Sequence, residues 1–174
     1  MDVLIRFAEL KDASELSEIY RPYVERTAIT YEYDAPDATE FSRRIENTLK
    51  NYPYYVAECR GKVVGYAYAG AFKARKAYDR SVETSIYVGE AYRGQGIGKK
   101  LYDALEKELQ ERGITNMYAC IAYPEKEDEY LSYSSRYFHE HIGFELVGEF
   151  HKCANKFGRW YGMIWMEKFI GEHI

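Results

Sequence analysis

Cysteine is scarce and scattered: Cys59, Cys120 and Cys153 form no C-x-x-C pair in 174 residues. An odd, unpaired set excludes a disulfide framework and predicts free, buried thiols in a reducing compartment. Cys59 and Cys120 fall in strand-like runs, where a catalytic thiol is out of place. Of the four histidines, His139 and His141 stand two apart and diverge on a helix, so no metal is expected. Basic charge is not in excess. A formal net charge of −4, without basic runs interleaved with aromatics, argues against a nucleic-acid partner. No apolar stretch approaches bilayer-spanning length, and Met1-Asp2-Val3-Leu4-Ile5-Arg6 is no leader pattern. No membrane partner and a cytoplasmic location are therefore expected. Linkers, repeats and low-complexity segments are missing too, which predicts one domain over residues 1–174. What abounds is tyrosine, 19 residues, enough to line a pocket or cover an interface.

Hydrophobic spacing predicts the order of elements. Val3 to Phe7 reads as a strand, and Asp12 caps a helix with Leu16, Ile19, Tyr20, Tyr23 and Val24 on one face. Pro22 kinks that helix or ends its regular part. After a loop around Tyr31 and Pro36, a second helix from Ala38 to Lys50 carries Phe41, Ile45 and Leu49. Tyr54 to Cys59 and Val63 to Ala69 form a hairpin about Arg60-Gly61-Lys62. A loop from Gly70 to Arg80 leads to a strand from Val82 to Val88. Ile97, Leu101, Leu105 and Leu109 stripe a helix that Arg112-Gly113 ends. A strand from Met117 to Ala122, a short helix from Tyr130 to His141, and strands Glu145 to His151 and Tyr161 to Lys168 complete an α/β layered fold around a mixed sheet.

The segment between strand and striped helix, Tyr92-Arg93-Gly94-Gln95-Gly96-Ile97-Gly98-Lys99, has the make-up of a phosphate cradle. Glycines bare the backbone N–H groups, and the helix start adds its positive end. Two nucleotide spellings fail. A Walker A loop would need glycine at Arg93 and a hydroxyl at Lys100; a dinucleotide fingerprint would need glycine at Lys99.

What the segment spells, Arg93-Gly94-Gln95-Gly96-Ile97-Gly98, resembles the acetyl-CoA pyrophosphate loop of the GNAT acetyltransferase superfamily. Longer blocks narrow the resemblance. Val56-Ala57-Glu58, Gly65-Tyr66-Ala67-Tyr68-Ala69-Gly70, Lys73-Ala74-Arg75-Lys76-Ala77-Tyr78-Asp79 and Glu83-Thr84-Ser85-Ile86-Tyr87-Val88 are similar to the phosphinothricin N-acetyltransferase family, as are His139-Glu140 and Gly158-Arg159-Trp160. It covers roughly Ile5 to Phe169. The resemblance implies the GNAT (acyl-CoA N-acyltransferase) fold, a mixed, mostly antiparallel sheet with helices on both faces. It implies acetyl-CoA as cosubstrate, a small amino-acid-like amine such as phosphinothricin or methionine sulfoximine as acceptor, and a homodimer.

It also implies residue roles. Glu83 is the general base, and a proton must indeed leave the acceptor amine before it can attack. Read from the residues alone, Glu83 is rather a strand carboxylate paired with Lys73 or Arg75, and the resemblance reverses that preference. Lys73, Arg75 and Tyr78 would take the acceptor's acidic group, with Tyr31 at the pocket mouth. His139 stands beside the active site, and Tyr102 would protonate the departing thiolate, with Tyr133 and Tyr137 as rivals. Ile86, Tyr87 and Val88 would pair their backbone with the pantetheine arm. Arg93, Gly94, Gln95, Gly96, Ile97, Gly98 and Lys99 would hold the pyrophosphate. Two departures stand out. Ser132, after the acidic insertion Glu125 to Glu129, replaces an asparagine, and Trp160-Tyr161-Gly162 replaces Trp-His-Asp. The rival readings are a protein N-terminal or polyamine acetyltransferase, and a CoA-binding regulatory module without turnover.

Overall fold

Alternating apolar residues lay down seven strands, and four amphipathic helices cover the sheet they form. The computed structural model describes residues 2–174. In chain order the elements are β1 (Leu4–Phe7), α1 (Ala13–Arg26), α2 (Ala38–Leu49), β2 (Tyr54–Cys59), β3 (Lys62–Ala71), β4 (Ser81–Val88), α3 (Ile97–Glu111), β5 (Asn116–Tyr123), α4 (Ser134–His141), β6 (Glu145–Lys156) and β7 (Arg159–Phe169). All seven strands join one sheet in the order β1-β2-β3-β4-β5-β7-β6. Every neighbouring pair is antiparallel except β4 and β5. This is the mixed, mostly antiparallel sheet expected.

One face of the sheet packs against α3, whose Leu101, Leu105 and Leu109 are fully buried. Burial of each leucine stabilises the fold by about 1.5–3 kcal/mol. The other face packs against α1 and α2 through Leu16, Tyr20, Phe41 and Ile45 on Tyr54, Val56 and Tyr66. Leu49, expected on that stripe, ends α2 and is exposed. No described helix is long and apolar enough to cross a membrane.

Several local expectations are corrected, each for a physical reason. Asp12 does not cap α1 with its side chain. Its carboxylate instead takes both outer nitrogens of Arg6, each at 2.8 Å, and the Glu9 N–H at 2.8 Å. Burial alone would raise this carboxyl; the Arg6 and Glu9 hydrogen bonds outweigh it and hold Asp12 below its ordinary value. Pro22 does not end α1, which continues to Arg26. The carbonyl it frees belongs to Glu18, an exposed residue that water can serve. The last helix starts at Ser134, not Tyr130. The Asp128 side chain takes the N–H groups of Tyr130 and Leu131 at 2.8 and 3.0 Å and so holds this stretch as a turn. β6 runs five residues beyond His151, past a bulge with Lys152 at φ 47°, to a tight Phe157-Gly158 turn. Both turn residues have positive φ, as do Arg60 and Gly61 in the β2–β3 hairpin, and this suits the twist of two-residue hairpins. Of the three thiols only Cys59 is buried; Cys120 and Cys153 are exposed.

Candidate active site

Parallel pairing between β4 and β5 lasts only three residues, Ser81 to Glu83 against Asn116 to Tyr118. Beyond it the two strands part, because β5 is held by β7 while β4 stays with β3. The parting opens a cleft lined by Thr84 to Tyr87 on one side and Ala119 to Ala122 on the other. Strand backbone along this gap lacks a neighbouring strand, so its polar groups are free for a ligand. Of the strand residues expected to hold a pantetheine arm, Ile86 and Tyr87 line the cleft. The Val88 carbonyl already accepts the Tyr23 hydroxyl at 2.5 Å.

At the cleft floor, α3 and α4 bring Tyr102 and His139 together. Both are almost wholly buried, with 3.0 Å between the Tyr102 hydroxyl and His139 Nε2. His139 Nδ1 lies 2.7 Å from the Ser135 carbonyl, an acceptor only, so Nδ1 carries the proton and Nε2 accepts from Tyr102. Thr84, on β4, lies 3.1 Å from the same hydroxyl and 3.2 Å from the Tyr118 carbonyl. Burial pulls His139 down to about 4 and keeps it neutral, while burial raises Tyr102 above its ordinary value. Tyr137 is exposed and the Tyr133 hydroxyl donates to the Glu125 carbonyl, so Tyr102 alone of the three tyrosines reaches the floor.

The His139 environment carries a stability consequence. An unfolded histidine binds a proton below about 6.5; the folded one resists until about 4. Stability is therefore full above pH 6.5 and falls as pH drops from 6.5 to 4, by about 3 kcal/mol. Denaturant unfolding across that range should show the loss, and His139→Gln should flatten it.

Glu83 lies half-buried on β4, where the strands begin to part. Burial raises its carboxyl above the ordinary value, and the Lys73 ammonium pulls it partly back. Among the described residues Lys73 makes no close ion pair; its Nζ sits over the rings of Phe72 and Trp165 at 5.2 and 6.0 Å. Arg75 and Tyr78 are exposed on the preceding loop and do not line the cleft. Neither does Tyr31, whose hydroxyl donates to the Gly162 carbonyl and whose ring stacks on Tyr161. Its place is in a tether: Lys156 Nζ donates to the Thr30 carbonyl at 2.8 Å, and the Ala28 N–H to the Tyr130 carbonyl at 3.0 Å. Ser132 does reach the cleft, though its Oγ is shared with Ser134 at 2.9 Å. The acidic insertion is no loose run. Glu129 grips Arg159 twice at 2.7 Å, and Glu127 accepts the Tyr133 N–H at 2.8 Å.

The glycine segment turns the chain into α3. Gly94 and Gly96 have φ of 72° and 78°, which a side chain would resist, and open space surrounds both. The first-turn N–H groups of Ile97, Gly98 and Lys99 have no carbonyl within their own helix. This is a cradle that fits a pyrophosphate. Gly98 serves differently: a Cβ there would stand 3.0 Å from the Phe138 ring, so it lets α3 meet α4. Arg93 does not point freely outward. Its Nε donates to the Tyr23 hydroxyl at 3.0 Å, with the guanidinium over that ring at 4.7 Å. Gln95 donates to the Ala91 carbonyl, and Lys99 pairs with Asp103 at 2.6 Å. Tyr23 and Thr84 are site residues that spacing alone did not single out. Tyr23 reads as one more core position of α1, and a threonine in a strand looks ordinary.

Comparison with known proteins gives a consistent result. Residues 5–165 match the family model described as an acetyltransferase (GNAT) domain. The chain is similar to a phosphinothricin N-acetyltransferase of Streptomyces viridochromogenes, 31% identical over 168 residues, covering 96% of this chain and 88% of that protein. It is 32% identical over 170 residues to an L-methionine sulfoximine/L-methionine sulfone acetyltransferase of Salmonella typhimurium, covering 97% and 95%. The crystal structure of a phosphinothricin acetyltransferase from Sinorhizobium meliloti in complex with acetyl-CoA superposes with a TM-score of 0.88 at 37% identity, covering 98% of this chain and 90% of that one.

Proposed function

As the chain belongs to the GNAT acetyltransferase family, we propose that it acetylates the amine of a small amino-acid-like acceptor with acetyl-CoA as donor. The observation that carries the reading is the half-buried Glu83 carboxylate, set where β4 and β5 part, one residue before the cleft-lining stretch and on the sheet face opposite the Tyr102–His139 pair. Related enzymes named for phosphinothricin and methionine sulfoximine support the acceptor class. The free backbone of Ile86 and Tyr87 would hold the pantetheine arm, and the cradle from Gly94 to Lys99 the pyrophosphate. Bound acetyl-CoA supplies a thioester whose carbonyl carbon the amine attacks.

Glu83 takes the proton that an amino-acid ammonium still carries near neutral pH, directly or through one water. Burial suits it to this work, since a carboxyl raised above its ordinary value is a stronger base. No covalent enzyme intermediate is needed. Burial raises Tyr102 and keeps its hydroxyl protonated; turned from His139 Nε2 toward the cleft, the hydroxyl would give its proton to the leaving sulfur, and the second proton that the attacking nitrogen sheds would restore it. Lys73 and Arg75, on the loop before β4, would meet the acceptor's carboxylate as it enters. The homodimer is supported by an apolar edge: Leu146, Val147 and Phe150 on β6 and Trp160 on β7 are all exposed.

The test is free-thiol release from acetyl-CoA with a panel of amino acids, sulfoximines, phosphinates, polyamines and an N-terminal peptide. Turnover is expected with amino-acid-like acceptors and at least tenfold less with the polyamine and the peptide. Release with the peptide alone would move the chain to protein N-termini. Acetyl-CoA binding without release from any amine would make it a binding module.

A further inference from the structure

The sheet face that carries Glu83 continues, away from the cleft, into a second cavity of about 220 Å3 between the sheet and α2. Register fixes the path. Gly70 lies opposite Glu83, Tyr68 opposite Ser85 and Tyr66 opposite Tyr87, with Tyr54 beside Tyr68 on β2. Alternate residues of paired strands share a face, so Tyr68 stands diagonal to Glu83, about 7–8 Å away. Gly70 offers no side chain, and a Cβ there would meet nothing within 4 Å, which leaves the space beside the carboxylate open.

The cavity wall is phenolic. Tyr54 and Tyr68 stack at 4.8 Å, and Tyr66 lies 5.6 Å from Tyr87. Tyr54 and Tyr66 are each 1% exposed. Among the described residues neither hydroxyl finds a protein partner, and no fully sealed polar side-chain atom goes without one, so both hydroxyls reach the cavity. The charges at its rim are already matched. Arg44 is held by Glu32 at 2.7 Å and Glu40 at 2.9 Å, and Glu40 also binds Arg43 at 2.6 Å. A charged guest would lose water there and gain no free counter-charge. A flat ring gains stacked and edge contacts with tyrosines. An apolar cavity of about 150 Å3 holds benzene, so there is room for a larger ring. The two hydroxyls can donate or accept, which matches a phenol or an indole N–H.

On the reading that the chain acetylates amino-acid amines beside Glu83, we propose that this cavity receives the acceptor's side chain and selects uncharged aromatic ones. The acceptor's amine then lies at Glu83, its ring runs past Gly70 and Tyr68, and its carboxylate stays outside toward Lys73.

The test compares kcat/KM for L-tyrosine, L-alanine and L-aspartate by thiol release, in the wild-type chain and in Asn47→Trp. Asn47 is an exposed α2 residue at the cavity lip, where a large side chain can be carried without repacking the core. Wild type should prefer tyrosine to alanine at least tenfold and use aspartate least; Asn47→Trp should cut the tyrosine-to-alanine ratio at least fivefold. Equilibrium binding offers a readout free of any variant: N-acetyl-L-tyrosine should bind wild type at least tenfold more tightly than N-acetyl-L-alanine. Equal binding of the two products, or an alanine reaction with a ratio that Asn47→Trp leaves unmoved, overturns the cavity assignment alone. No thiol release with any of the three amino acids overturns the amino-acid reading and this one with it.

Discussion

Glu83→Gln should lower kcat by roughly 10²- to 10⁴-fold, the usual worth of a general base, while acetyl-CoA binds within twofold of wild type. The two readouts separate because, on the proposed reading, Glu83 serves the acceptor, while the glycine segment proposed to hold the pyrophosphate follows the far end of β4. Glutamine keeps the size and polarity of the side chain and removes only its capacity to take a proton. The same assignment predicts the pH profile. Burial raises the Glu83 carboxyl, and the Lys73 ammonium only partly opposes this. Activity should therefore climb with pH through a limb that lies above the ordinary carboxylate value of about 4.3. That limb should vanish from the residual activity of Glu83→Gln. A variant with wild-type kcat and an unchanged limb would remove Glu83 from the reaction.

The pieces of this site that could be read from the chain are those that backbone chemistry dictates. Two glycines at positive φ before an amphipathic helix make an anion cradle whatever surrounds them, and β4 with Glu83 at its buried end follows from alternation. Interactions that depend on distant partners were hidden. Arg93 looks like a phosphate ligand in sequence, yet its guanidinium rests on Tyr23, seventy residues earlier. Asp12 has the local spelling of a cap, but an arginine from β1 outcompetes the helix for its carboxylate. The acidic insertion reads as solvated charge until Arg159, from the final hairpin, closes on it. The loop from Lys73 to Tyr78, where acceptor binding is expected, lies open to solvent, and the enclosed space farther along the sheet face that carries Glu83 is phenolic. Nineteen tyrosines were visible as an excess; only strand register shows that Tyr54, Tyr66, Tyr68 and Tyr87 share one face.

Gly162→Asp, which restores the residue that the resemblance places there, should destabilise this chain by about 3 kcal/mol, the upper range for overpacking a tight site. For a chain of this size that is a fall in Tm of roughly 6–12 °C, measurable by scanning calorimetry. The cause is the β6 bulge. Pairing of Phe150 with Met163 resumes only at Ala154 and Tyr161, and the extra residues push the Phe150 carbonyl over Gly162. A Cβ at Gly162 would stand 2.5 Å from that oxygen and 3.3 Å from the Tyr123 carbonyl oxygen. Both are backbone atoms of the sheet, so neither can swing aside as a side-chain tip would. A carboxylate adds repulsion from two carbonyl dipoles, hence Gly162→Ala should lose less than Gly162→Asp but still lose. The Gly162 carbonyl also accepts the Tyr31 hydroxyl. Moving it loosens the Thr30–Tyr31 tether beside the cleft, and the KM for the acceptor should rise severalfold in whatever fraction stays folded. A Gly162→Asp chain that melts where wild type does would mean that the β6 bulge yields freely. The aspartate that the resemblance places there and the glycine here would then be interchangeable, and the bulge would have no hold on the acceptor side of the site.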